Sequence, residues 1–240
     1  MRPVRRPSGR TAGLLQPIRG ILRLYRYGGQ CLHDVSTTSG DRRAMDITQL
    51  ILDDHHEQRR LFAIIEQIDP SNTAALGAVW DRLAAFLEVH AEAEEELFYP
   101  ELLRVGEGID NLDPQDETRD AIHDHNQIRD AVAAVSEHEV GSKGWYQAVA
   151  KANEANSDHM AEEEREGLTD FRRNASLQLR HDLAVAFATF EAKHVTGVTA
   201  RDKDPDRYIR EVEEEIAESE GQNVTKDGTT EKSLGIGSLQ

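Results

Sequence analysis

The sequence is poor in the groups that most often announce a chemistry. Its one cysteine, Cys31, excludes an internal disulfide and a thiolate metal cage. Aromatic residues make up 5% and hydrophobic residues 38% of 240 positions, below the usual globular share, so part of the chain is expected to lie outside a packed core. The longest uncharged apolar run, residues 183–190, falls far short of the ~20 residues that span a bilayer. Basic residues are scarce too: 28 Lys and Arg against 45 Asp and Glu give a net charge of −17, which argues against binding nucleic acid by phosphate neutralisation. These absences point to a soluble, acidic, cytoplasmic protein that binds neither nucleic acid nor membrane.

The charge is unevenly spread. Residues 1–44 hold nine arginines and two aspartates, interrupted by Gly, Pro and Ser, with no sustained period. They read as a basic disordered arm, less readily as a transit peptide, or, the favoured reading, as sequence upstream of a natural start at Met45. A chain beginning there is expected to keep its fold. From Met45 onward the pattern is helical. Asp46 or Thr48 can cap a first helix carrying Ile47, Ile51, Phe62 and Ile65. Pro70 closes it, and Ser71 or Asn72 caps a second helix that Pro100 kinks or ends. A third helix from about Gln115 and a fourth from Trp145 to about Arg173 complete an antiparallel up-down four-helix bundle, an all-α fold over residues 45–175. Further helical stretches over 176–220 form a C-terminal extension, through which a separate protein partner can be reached. Residues 221–240, rich in Gly, Ser and Thr, are expected to be disordered.

The chemistry lies in an internal repeat. Asp54-His55 and Asp124-His125 are each followed by an arginine four residues after the histidine, Arg59 and Arg129. His90 precedes Glu94 by four positions, as His159 precedes Glu163, and the two sets are offset by 70 residues at His55 and 69 at His90 and Glu94. Positions i and i+4 share a helix face about 6 Å apart along the axis. All six side chains are in phase with the apolar stripe, so all face the interior. Four imidazoles and two carboxylates in a bundle core are costly unless something compensates them. Imidazole and carboxylate without thiolate suit iron, manganese or zinc, and shared carboxylates suit a pair of ions.

The strings DHHEQRRLF, HAEAEEELFYP, DHNQIRDAV and HMAEEERE, in this order over residues 46–173, resemble the hemerythrin family in its bacterial, hemerythrin-like (HHE cation-binding) branch. The resemblance implies that His55 and His90 bind one iron and His125 and His159 a second, with Glu94 and Glu163 and an oxo or hydroxo group bridging them. Oxygen-carrying members have a further histidine one turn before the third-helix ligand. Here that position is Ala121, which leaves one iron with an open position and favours peroxide or dioxygen chemistry, sensing, or looser iron binding over reversible oxygen carriage.

The remaining candidates read more plainly. His56 and His123 sit about 100° and 200° from the ligand direction and are expected at the surface or behind the ligands. His33, His138, His181 and His194 lack partners at metal spacing. Glu191 and His194 match a ferritin-like Glu-x-x-His pattern once, which reads as chance. Asp54 and Asp124 are either supports for ligands or exposed charges, and Asn156 either bonds near the site or lies at the bundle edge. In the runs 94–96 and 162–164 one glutamate each is expected to be a ligand and the rest solvated. Three functions stay open: binding or sensing dioxygen, peroxide or nitric oxide; decomposing peroxide; and handling iron as a cation-binding module.

Overall fold

The structure, a computed structural model, describes residues 45–109 and 112–227. The readings made for residues 1–44, including Cys31, His33 and the start site, and those for residues 228–240 lie outside the described residues.

The long helices of the bundle begin where a side chain satisfies one of their free N–H groups. Helix α1 (Ile47–Gln67) is capped by Asp46, whose carboxylate accepts from Thr48 N at 3.0 Å. Helix α2 (Thr73–Ala93) is capped by Asn72. It continues through a π-helical turn (Glu94–Phe98) into α3 (Tyr99–Val105). Pro100 therefore does not end the helix. Helix α4 (Pro114–Val135) has Asp113 as cap and proline in its first turn, and α5 (Lys143–Arg165) is capped by Ser142. Gly141, at φ +80°, makes the reversal before α5, where a Cβ would stand 3.1 Å from Pro70 O. The expected fourth helix breaks at Glu166, and α6 (Gly167–Asn174) carries the chain on.

These elements form the expected helical bundle, all-α among the described residues, with further C-terminal helices. The buried histidines and glutamates of the repeat lie between two apolar clusters. One gathers Ile47, Ile51, Phe98, Tyr99, Leu102, Ile122 and Phe171. The other gathers Leu61, Phe62, Trp80, Leu83, Val132 and Trp145. Helix α7 (Leu177–Lys193) joins the first cluster through Leu183, Ala184 and Phe187, and Arg180 reaches back to the α1 cap, 2.8 Å from Asp46. Helix α8 (Pro205–Asp227) packs Tyr208 against the same cluster and runs beyond the boundary at residue 220 where disorder was expected.

The π turn decides what faces the centre. Its extra residue turns the following side chains by about 100°. Glu95 and Tyr99 are thereby buried, whereas Leu97, inward in a continuous α-helix, is only partly covered. Tyr99 N bonds to Glu94 O, five residues back, so the carbonyl of Glu95 would next require an N–H at position 100. Proline has none. Tyr208 of α8 supplies the missing donor, its hydroxyl lying 2.5 Å from Glu95 O.

Candidate metal centre

All six predicted ligands are buried. His55 comes from α1, His90 from α2, Glu94 from the π turn, His125 from α4, and His159 and Glu163 from α5. Ligand atoms of His55, His90 and Glu94 lie within 4.8 Å of one another, as do those of Glu94, His125 and His159. Glu94 belongs to both groups. Its Oε1 is 2.9 Å from His90 Nε2 and its Oε2 3.3 Å from His125 Nε2. Glu163 is placed differently: Oε2 lies 3.4 Å from His55 Nε2, while Oε1 accepts a 2.8 Å hydrogen bond from the Tyr99 hydroxyl. Tyr99 escaped the sequence reading because only the π turn brings it inward.

The donor atoms fit a metal. Nε2 of His55 and of His90, both oxygens of Glu94 and Oε2 of Glu163 are buried without hydrogen-bond partners. Buried polar atoms in native folds are nearly always paired, so this many unmatched acceptors and imidazoles in one place imply a ligand between them. Without it, the carboxylates favour protons on His55, His90 and His125. Burial lowers the pKa of His125, but Glu94 and Glu95 outweigh it and raise it to about 9. Burial likewise opposes Glu94 and Asp54 at His90, where the carboxylates win.

Behind each imidazole stands a carboxylate facing Nδ1. Glu164 lies 3.0 Å from His55, Asp54 3.4 Å from His90, Glu95 2.7 Å from His125 and Asp124 3.8 Å from His159. Such carboxylates fix ring orientation and strengthen the imidazole as a donor. Two of the four are in turn held by the arginines of the repeat: Arg59 lies 2.7 Å from Glu164 and Arg129 2.8 Å from Glu95. Glu95 and Glu164 are thus not the solvated neighbours expected from their runs. Burial raises the pKa of Glu95, yet His125, Arg129 and Lys203 hold it down to about 2. The hydrogen bond with His55 is the largest influence on Glu164, also held at about 2.

The C-terminal elements touch this shell at two places. Phe187 packs edge-on to His90 at 5.7 Å, and Glu191 joins Asp54 and His90 in a further group of close donor atoms. Glu191 is therefore beside the centre, whereas His194 turns to the carbonyl and ring of Phe190, so the Glu-x-x-His pattern forms no metal pair. Lys203 lies 2.5 Å from Glu95 Oε2. His56, His123 and His138 are exposed, and His181 and His194 are half-buried. Asn156 is interior but points to Gln58, donating at 2.9 Å.

On one side of His159 the packing is incomplete. A cavity of about 20 Å³ is lined by Tyr99, Glu117, Ala121, His159, Glu163 and Gly167, among others. That is room for about one water-sized molecule. Glu117 is buried with both oxygens unpartnered, and burial together with Asp170, Glu166 and Glu163 raises its pKa to about 8.

Fold and site together define a helical-bundle protein with a buried, carboxylate-sharing histidine metal centre. The sequence model of the hemerythrin HHE cation-binding domain matches residues 46–168, and the chain belongs to this family. Neither the curated proteins nor the solved structures give a match. No helix among the described residues is long and apolar enough to cross a membrane.

Proposed function

We propose that the protein holds two iron ions, one at His55 and His90 and the other at His125 and His159, and takes dioxygen, peroxide or nitric oxide at the second. The supporting observation is Glu94, whose two oxygens each face one histidine pair. Bound iron would supply Lewis acidity and a ferrous–ferric couple there. The chain does the rest. Glu94 and Glu163 carry the negative charge that neutralises the cations, and Tyr99 holds one oxygen of Glu163 by its hydroxyl proton. Ala121 leaves a small space beside His159, at the position where oxygen-carrying members hold a further histidine. Phe187 and the apolar clusters keep water from the first pair. In this reading the chain sits with the bacterial, four-histidine branch and works in the cytoplasm in oxidative-stress or iron physiology.

Iron content and air oxidation test it. The reduced protein is expected to carry about two irons per chain and to oxidise rapidly in air. Ala121→His is expected to slow that oxidation by closing the open position. One iron per chain, or equal oxidation rates in the two proteins, overturns the reading. Vigorous oxygen release from added peroxide would instead mark the site as a peroxide-decomposing enzyme.

A further inference from the structure

The cavity beside His159 has a cause in the repeat. Ile47, Ile51 and Phe98 of the first half correspond, at the same offsets, to Glu117, Ala121 and Gly167 of the second. Three large apolar side chains that are fully buried in one half give way to a carboxylate and two small residues in the other. All three replacements line the cavity. Loss of volume explains Ala121 and Gly167. It does not explain Glu117, because burying a carboxyl without a partner costs far more than burying an alkyl chain.

The other walls give it a direction. Asp120 and Glu162 stand exposed at the rim, Glu166 is half-buried and paired with Arg165, and Glu117 is 8% exposed. At the floor are His159 and Glu163. No lysine or arginine lines the cavity among the described residues. A cleft of one charge sign with low-dielectric walls concentrates counter-ions and raises their arrival rate by about 10–10³. The same field repels anions. The corresponding surface of the first half is closed by Ile47, Ile51 and Phe187.

We propose that this cavity is the port through which divalent iron reaches the centre, and that Glu117 is the carboxylate that receives the ion between the rim and Glu163. The inference rests on the reading of His159 and Glu163 as metal ligands. The ion sheds part of its water shell at Asp120 and Glu162, binds the unpartnered oxygens of Glu117 as that carboxyl gives up its proton to water, and passes to the carboxylate and imidazole at the floor. Glu117 is a transit residue and keeps no iron once both positions are filled.

The test is anaerobic mixing of the metal-free full chain with ferrous iron, timed by loss of chelatable iron, followed by measurement of the final iron content. Glu117→Gln is expected to slow loading at least tenfold, to keep the dependence on salt that the exposed rim carboxylates give, and to reach the same final content. Should that variant fold poorly, the exposed pair Asp120→Asn with Glu162→Gln serves in its place, with loading slowed several-fold. Glu154→Gln, exposed on α5, is expected to load as the parent does. Parent-like rates in the Glu117 and rim variants overturn the port alone. A lower final content in Glu117→Gln also overturns it, by making Glu117 a resident ligand. A parent protein that takes up no iron overturns the metal centre and the port together.

Discussion

The two halves of the repeat hold the same ligand types in different surroundings. Around His55 and His90 the space is filled by Ile47, Ile51 and Phe98, and α7 lays Phe187 against the ring of His90. Around His125 and His159 the corresponding positions are Glu117, Ala121 and Gly167, and a cavity remains. Support differs in the opposite sense. Glu164, behind His55, has Arg59 as its cation, while Glu95, behind His125, has both Arg129 and Lys203. One half is sealed and singly braced. The other is open and doubly braced. A duplicated motif thus gives one position suited to permanence and one suited to exchange.

The largest expected effect tests what the halves share. Glu94→Ala removes the carboxylate common to both donor groups, so iron content is expected to fall from about two per chain to near zero. His90→Ala and His159→Ala are expected to lose about one each. His123→Ala, exposed on α4, is expected to lose none. Atomic emission on purified protein measures all four. Metal loss from His123→Ala equal to that from His159→Ala would break the ligand assignment.

Next in size is the sealing of the first half. Phe187 is fully buried, and Phe187→Ala is expected to destabilise the fold by about 3–5 kcal/mol, read from urea denaturation. Ala121→Val on the open side adds volume to an existing cavity and is expected to change stability by about 1 kcal/mol or less. Comparable losses in the two variants would show that the halves are equally packed.

The double brace predicts non-additivity. Lys203→Met alone leaves Arg129 on Glu95, and Arg129→Met leaves Lys203. Together they leave a buried carboxylate beside only His125. The pair is expected to lose about 1–2 kcal/mol more than the sum of the single changes. Strict additivity in denaturation would mean that one of these cations does not bear on Glu95.

A further difference is a pH slope to which Glu117 of the open half contributes. The carboxyl of Glu117 is raised from 4.5 to about 8, so between these values the folded chain holds a proton that the unfolded chain has lost. The metal-free protein therefore has this stability in full below pH 4.5 and loses it as pH rises towards 8. Glu191, raised to about 7, adds to the same slope. Glu117→Gln is expected to flatten part of the fall in melting temperature over this range, whereas Ile47 contributes nothing to it. A slope unchanged in Glu117→Gln would place that proton elsewhere.

The bundle and the gathering of histidines and glutamates at its centre were legible because both are written in short spacings. Histidine and glutamate four apart, each in phase with leucines and phenylalanines, can face only the interior of a helix pair. Repetition of the whole set then separated it from chance. The supports were not legible for two reasons. Glu95 and Tyr99 turn inward through a π turn that no period in EEELFYP announces. Glu191 and Lys203 reach the site from elements far along the chain, where a single acid or lysine has no pattern of its own. The arginines at 59 and 129 were visible as part of the repeat, but their purpose required the partners Glu164 and Glu95 to be seen in space.

The residue that most reshapes this molecule does so by what it withholds. Because Pro100 offers no N–H, the π turn presents a bare carbonyl, and the hydroxyl of Tyr208 fills it from 113 residues away. The family match ends at residue 168, short of that tyrosine, and of Phe187, Glu191 and Lys203 as well. Trimmed to the matched span, the bundle would keep every ligand and lose the stopper over one of them. It would also leave an unanswered acceptor beside another. The boundary that kinship draws through this chain is not the boundary at which its metal chemistry is insulated.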